Sequence, residues 1–197
     1  MHLYGSRHRF LSQPEHSAVQ TRERGKSHRM VALKTLIFTI VIPGTVLGIV
    51  PWLLLQSSGE AVMPSLSIWL IGLLPFFAGV ILYFWCAGAF TFIGKGTPAP
   101  IDAPIFLVRE GSYRWVRNPI YIGVFSVLAG EVILFHSPWL LAYMLLAAVI
   151  VHLFVVFYEE PHLSRQFGES YRTYLRTVPR WLPRPQRADV PQSNEQV

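Results

Sequence analysis

Long runs of apolar residues alternate with polar segments along the chain. Residues 36–55, 66–93 and 139–158 form runs of 20, 28 and 20 residues without a charge. A bilayer core of about 30 Å needs about 20 apolar helical residues, so each run predicts a membrane-spanning helix. A shorter run, 120–135, contains one charge, Glu131. It can span the membrane only if the helix includes flanking residues or if the bilayer becomes thinner around it. The pattern predicts an all-α polytopic membrane protein with four spans, at about 32–55, 66–93, 118–135 and 138–158.

The distribution of Lys and Arg gives these spans an orientation. Residues 1–35 hold seven of them, residues 94–119 four and the segment after residue 158 six, whereas the connections 56–65 and 136–138 hold none. With four spans, all 17 cationic residues fall on one side of the membrane. The positive-inside rule makes that side cytoplasmic, together with both termini. The net charge of +6 therefore indicates membrane orientation, and we expect no nucleic-acid partner.

Composition narrows the class further. The chain is 52% hydrophobic and 14% charged, against about 25% charged residues in a soluble domain. This argues against a disordered chain and against a soluble globular enzyme. The single cysteine, Cys86, excludes an internal disulfide and a cysteine-built zinc or iron–sulfur site, so no metal is expected.

Two polar tails flank the apolar domain, which we place at 30–184. Residues 1–29 are rich in His, Arg and Ser and lack the apolar core of a signal peptide, so they are expected to form a disordered basic tail. Residues 185–197 are expected to be disordered as well. Met30 directly precedes the apolar part, which leaves open whether translation starts at Met1 or Met30.

The cytoplasmic side carries polar segments beyond what membrane topology requires. Residues 94–104 contain three prolines and two glycines, which predict a fixed, non-helical path. Asn118 followed by Pro119 is a good N-cap and first helical residue. The third span therefore begins with free backbone N–H groups that can hold an electron-rich group, although simple capping is the alternative.

Two adjacent carboxylates, Glu159 and Glu160, mark the expected end of the fourth span. They oppose the helix dipole and lie on the side where cations gather. A cation or a diol to bind explains this placement, and a solvated helix end is the alternative. Beyond them, apolar residues at roughly helical spacing predict an amphipathic interfacial helix, formed around Leu163, Phe167, Tyr171 and Tyr174.

Taken in order, these segments resemble a known family. The matching residues are Tyr113, Arg117-Asn118-Pro119, Tyr121, Gly123, Glu159-Glu160, Phe167-Gly168, Tyr171, Tyr174 and Val178-Pro179-Arg180. Their combination is similar to the isoprenylcysteine carboxyl methyltransferases and related phospholipid methyltransferases, over about residues 95–184. The resemblance implies a multi-pass membrane enzyme that uses S-adenosylmethionine. It also implies a cofactor pocket open to the cytoplasm and an acceptor that arrives from the lipid.

The resemblance also implies which residues bind the cofactor. Apolar and aromatic side chains suit adenine, a carboxylate suits ribose hydroxyls or cationic groups, and tyrosine faces attract a sulfonium. The family's contacts carry over to Ile105, Phe106, Leu107, Val108, Tyr113, Asn118, Pro119, Ile120, Tyr121 and Glu159.

Two departures from the family bear on the substrate. The animal and archaeal members usually have His at the position of Asn118; both side chains form hydrogen bonds, so cofactor binding is expected to be retained. The prenylcysteine enzymes place an arginine four residues before the matching glutamate, where this chain has Val155. A prenylcysteine carboxylate therefore lacks its counter-ion here. Methylation of an amine, a thiol or a lipid headgroup stays open.

His152 is the candidate catalytic residue. It lies seven residues before Glu159, on nearly the same helix face and about 10 Å deeper in the membrane. A neutral imidazole could accept a proton from an attacking thiol or amine. The alternative is a histidine hydrogen-bonded inside the helix bundle. Glu131, the other buried ionisable residue, is expected to be structural.

Two other functions remain open. A small membrane scaffold or sensor could retain such a pocket without catalysis. Membrane sterol reductases have a similar-looking Asn/His-Pro-x-Tyr region, but they use NADPH and much longer chains. The expected partners are the bilayer, at the inner membrane if the source is bacterial, and a small or lipid-like methyl acceptor. The acceptor and the oligomeric state stay open.

Overall fold

The described part of the protein is built from helices. A computed structural model describes residues 30–58, 65–94 and 106–183, which contain no β-strand. Ile105, the loop around it and the two predicted tails lie outside these residues. The elements are α1 (Met30–Ser58), α2 (Leu66–Phe92), a 3₁₀ turn (Gly111–Arg114), α3 (Pro119–Phe135), α4 (Pro138–Phe167) and α5 (Glu169–Thr177).

Three of these helices are long and apolar enough to cross a membrane. They are α1, α2 and α4, with 29, 27 and 30 residues, whereas α3 has 17. Large apolar side chains lie exposed along them, including Leu66 and Leu74 at 77% exposure each. Soluble proteins rarely expose apolar surface on this scale, but lipid solvates it. The all-helical prediction is confirmed, while the fourth span and the orientation stay predictions.

The last long helix extends further than its sequence indicates. The sequence places the end of the fourth span near residue 158, but α4 continues to Phe167, so Glu159 and Glu160 lie inside it. The chain turns at Gly168, whose φ of 57° lies in the left-handed region that favours glycine. The two carboxylates therefore do not oppose a free helix C-terminus.

A π turn explains how α4 continues past Pro161. Proline lacks an N–H, and its ring clashes with the carbonyl one turn earlier in a regular α-helix. Here Val155–Glu159 forms a π turn, and the Glu160 N–H donates to the Val155 carbonyl. A second π turn, Thr45–Ile49, precedes Pro51 in α1. Such turns displace the clashing carbonyl and re-aim the side chains within them.

Close packing of α2 on α3 positions the start of α3. Gly79 lies against Gly123, and Gly72 lies against Gly130, so the two backbones approach closely at both levels. The connection from α3 to α4 is a tight hairpin, in which Ser137 Oγ accepts from the Leu140 N–H. These contacts bring the first turn of α3 beside the far end of α4.

Candidate functional site

A short segment crosses the beginning of α3. We call residues 178–183 the C-terminal strap. The Arg117 N–H donates to the Pro179 carbonyl at 2.9 Å, and Asn118 Nδ2 donates to the Arg180 carbonyl at 3.3 Å. The predicted capping role of Asn118 is therefore wrong in part, because its side chain forms no cap hydrogen bond with α3. Its amide holds the strap instead.

Glu160 is the centre of a partly buried ion cluster. Its Oε1 accepts from Arg117 Nη1 and from Arg180 Nε, each at 2.7 Å, and its Oε2 accepts from Arg180 Nη2 at 2.9 Å. The Glu160 and Arg117 side chains are only 13% and 11% exposed. Hydrogen bonding to Glu160 raises the pKa of Arg180. Glu160 thus joins α4 to the start of α3 and to the strap, and it is fully engaged in this role.

Glu159 faces a different partner. The Tyr121 hydroxyl donates to Glu159 Oε2 at 3.0 Å, and both side chains are partly buried. Tyr121 lies in the first turn of α3, and Glu159 is the last residue of the π turn in α4. The structure therefore brings together two of the predicted cofactor residues, which are 38 positions apart in the chain.

A second group of predicted residues packs around Tyr113. This side chain is 5% exposed and clusters with Val108 and Cys86, with Ile120 packed against them. The ring of Phe90 meets Tyr113 edge-on, with ring centroids 5.5 Å apart. The other predicted residues nearby differ in burial: Pro119 is fully buried, Leu107 is partly buried and Phe106 is 52% exposed.

The Tyr113 hydroxyl is buried and interacts with the Cys86 thiol. Its backbone carbonyl accepts from the Tyr174 hydroxyl at 2.7 Å, which docks α5 against this group. Burial raises the pKa of Tyr113 well above its usual value, and Cys86, Tyr174 and Glu159 raise it further. Tyr113 is therefore neutral at physiological pH.

His152 connects to the site through a residue that sequence reasoning missed. Trp181 Nε1 donates to His152 Nδ1 at 3.1 Å. The Trp181 ring lies 6.1 Å from the His152 ring and 6.4 Å from the Tyr121 ring, measured between centroids. His152 itself is exposed. The only sequence signal for Trp181 was its place directly after Val178-Pro179-Arg180, to which no role had been given.

Among the residues described, the surroundings of the site offer no free arginine at the position where prenylcysteine enzymes have one, and the second buried carboxyl lies elsewhere. Val155, where prenylcysteine enzymes have arginine, is fully buried at 0% exposure. Both Arg117 and Arg180 are already bound to Glu160. Glu131 is 6% exposed, with its Oε2 unpaired within the described ranges, and it lies about 15 Å along α3 from Tyr121 on the helical rise.

Comparison with known proteins places most of this site inside a matched region. A family model described as phospholipid methyltransferase matches residues 67–170, just over half of the chain. The protein-S-isoprenylcysteine O-methyltransferase of Xenopus laevis is 36% identical over 77 residues, which are 39% of this chain. The chain spans only 27% of the length of that curated relative. No solved structure matches the chain.

Proposed function

The chain belongs to the phospholipid methyltransferase family, and on that premise we propose that it transfers a methyl group from S-adenosylmethionine to a lipophilic acceptor in the membrane. One observation carries the proposal. The hydrogen bond from Tyr121 to Glu159 joins α3 to α4 inside the matched region, at the positions where the family resemblance puts the cofactor. The membrane location follows from the apolar helices and from the family.

The residues present fit this cofactor. Glu159 can accept hydrogen bonds from ribose hydroxyls or an ammonium group, and Tyr121 fixes the direction of its carboxylate. The neutral Tyr113 ring, Val108 and Ile120 supply apolar contacts for a base. When bound, S-adenosylmethionine supplies an electrophilic methyl group. The protein's task is then to position the acceptor in line and to exclude water.

The structure favours an acceptor without a carboxylate. A carboxylate acceptor needs a cation, but Val155 occupies the position where the prenylcysteine enzymes have arginine, and it is buried. The two nearby arginines, Arg117 and Arg180, are both bound to Glu160 in the cluster that anchors the strap. We therefore propose that the acceptor is an amine, a thiol or a lipid headgroup. It would then differ from the isoprenylcysteine named for the Xenopus laevis relative.

The predicted catalytic role of His152 depends on one condition. An indole nitrogen is only a donor, so His152 Nδ1 must be the acceptor in its bond with Trp181. In the neutral ring the proton then lies on Nε2, which can donate but cannot accept. His152 can act as a proton acceptor only after the Trp181 bond breaks.

We also propose that the site faces the cytoplasm. With α3 as a fourth span, all Lys and Arg residues lie on the side that carries the strap and Glu159. Helix α5 buries Tyr171 and Tyr174 and exposes Arg172 and Arg176, which suits a helix on the membrane surface.

Incubation with methyl-labelled S-adenosylmethionine and a total membrane extract tests the function directly. We expect the purified protein to transfer label into the lipid-soluble fraction, and the nature of the labelled species identifies the acceptor. Absence of transfer, combined with absence of S-adenosylhomocysteine binding by calorimetry, would support a non-catalytic scaffold. Absence of transfer with binding retained would mean that the extract lacked the acceptor.

Replacing Glu159 with glutamine is expected to weaken S-adenosylhomocysteine binding. The change keeps the shape of the side chain but removes its charge, and hydrogen bonds to charged groups contribute about 1.5–3 kcal/mol, or roughly 10- to 100-fold in affinity. Calorimetry in detergent measures the effect. Glu131→Gln is the matched control, because Glu131 is a buried carboxyl remote from Tyr121. If Glu159→Gln and the parent protein bind S-adenosylhomocysteine with equal affinity, Glu159 does not contact the cofactor.

A further inference from the structure

We propose that Trp181 is a positioning residue that closes the site on its lipid side, and that His152 holds it in place. The effect on turnover rests on the proposed function, whereas the contact between the two side chains does not. Trp181 lies outside the residues that the family model matches.

The strap fixes the backbone on which Trp181 stands. The Pro179 and Arg180 carbonyls are bound by Arg117 and Asn118, and the Arg180 guanidinium is bound by Glu160. Trp181 follows the last of these anchors directly. Its indole therefore starts from a fixed point beside the first turn of α3.

From this point the partly buried indole contacts two residues of the site. Its ring centroid lies 6.4 Å from that of Tyr121, the partner of Glu159, and 6.1 Å from that of His152. His152 lies on a face of α4 that also exposes Val149 and Leu153, at 56% and 47%. An acceptor that arrives from lipid along this face meets Trp181 before it meets Tyr121.

The hydrogen bond assigns His152 a supporting role. It occupies the only nitrogen of the neutral imidazole that could accept a proton. His152 then fixes the rotamer of Trp181, and the size of the indole limits which acceptors reach the site. This role and the role of proton acceptor make opposite predictions for glutamine at position 152, since glutamine can accept the indole bond but is not a base.

The contact can be tested without any turnover. The chain has six tryptophans, and the other five are exposed, so they can be replaced by phenylalanine to leave Trp181 as the only emitter: Trp52, Trp69, Trp85, Trp115 and Trp139. In phosphatidylcholine vesicles, we expect His152→Ala to at least double the amplitude of sub-nanosecond depolarisation of Trp181 fluorescence. His152→Gln should leave it at the parent value. An unchanged amplitude in His152→Ala would overturn the contact.

Turnover with labelled S-adenosylmethionine and membrane lipid extract tests the consequence. We expect His152→Gln to retain at least half of the parent rate, and His152→Ala and Trp181→Phe to lose several-fold by similar factors. Trp181→Ala should bind S-adenosylhomocysteine within twofold of the parent but label a wider range of lipid species. Loss of turnover in His152→Gln with Trp181→Phe fully active would establish the proton-acceptor role and overturn the proposal. If the parent protein shows no methyl transfer but His152→Ala still increases the depolarisation of Trp181 fluorescence, the proposed function is contradicted. The contact between Trp181 and His152 is then supported.

Discussion

Replacing Glu160 with alanine is expected to release the C-terminal strap and to destabilise the protein. The Glu160 carboxylate accepts three hydrogen bonds from Arg117 and Arg180 in a site where its own side chain is 13% exposed. Its removal leaves two cations in one partly buried place without a counter-charge. Breaking a buried ion pair in this way costs about 3–5 kcal/mol. The thermal unfolding midpoint in detergent measures the loss.

The matched control is Glu169→Ala. Glu169 also pairs with two arginines, Arg172 and Arg176, but at 3.6 and 3.8 Å and with a side chain that is 67% exposed. Solvent screens such pairs, and we expect a loss of about 0.5 kcal/mol or less. Limited trypsin digestion gives a second measurement, because release of the strap exposes the bond after Arg180. Equal midpoints and equal cleavage for the two variants would show that the Glu160 cluster does not hold the strap.

The sequence predicted helix bounds well in the apolar segments that are expected to lie in lipid. The helices predicted at 66–93 and 118–135 are observed as Leu66–Phe92 and Pro119–Phe135. A bilayer forces each apolar run to satisfy its own backbone hydrogen bonds, and helix formation is the local answer. The ends of such runs are therefore visible in the sequence, as is the role of Pro119 as the first residue of its helix.

The end of α4 was harder to predict, because two local rules competed. The adjacent carboxylates Glu159 and Glu160 indicated that the span ends near residue 158, and Pro161 is a residue type that usually interrupts a helix. The π turn Val155–Glu159 removes the proline clash, and the helix continues to Phe167. Nothing in the local pattern distinguishes a stop from a π turn, since the result depends on what the turn packs against.

The strap was not predicted, because its bonds are made across long separations in sequence. Asn118 is a residue type that is favoured at N-caps, but its side-chain amide donates to the Arg180 carbonyl, 62 positions away. The bond between Trp181 and His152 spans 29 positions. Periodicity and capping rules concern neighbours in the chain, and the family resemblance is what implied Glu159 and Tyr121 as cofactor contacts. Neither source indicated the side chain that lies beside them.

Replacing Gly79 with alanine is expected to be more damaging than a one-carbon change suggests. A Cβ at Gly79 would lie 2.5 Å from the Gly123 carbonyl oxygen and 2.7 Å from the Val127 nitrogen. Both are backbone atoms of α3, so no side chain can move aside to make room. Overpacking costs about 1–3 kcal/mol, and we expect the upper end of that range here. The thermal midpoint in detergent again measures it.

Gly79→Ala should have a second effect, because a displacement of α3 would also change the candidate cofactor site. Gly123 lies two residues after Tyr121, so a shift of α3 away from α2 moves the Tyr121 hydroxyl relative to Glu159. We expect S-adenosylhomocysteine affinity to fall together with stability. Gly88→Ala in the same helix is the control, because its nearest atom is Phe92 Cδ2 at 4.0 Å. It should keep full affinity and gain stability slightly through helix propensity. A Gly79→Ala protein as stable as the Gly88→Ala protein would contradict the close approach of α2 and α3.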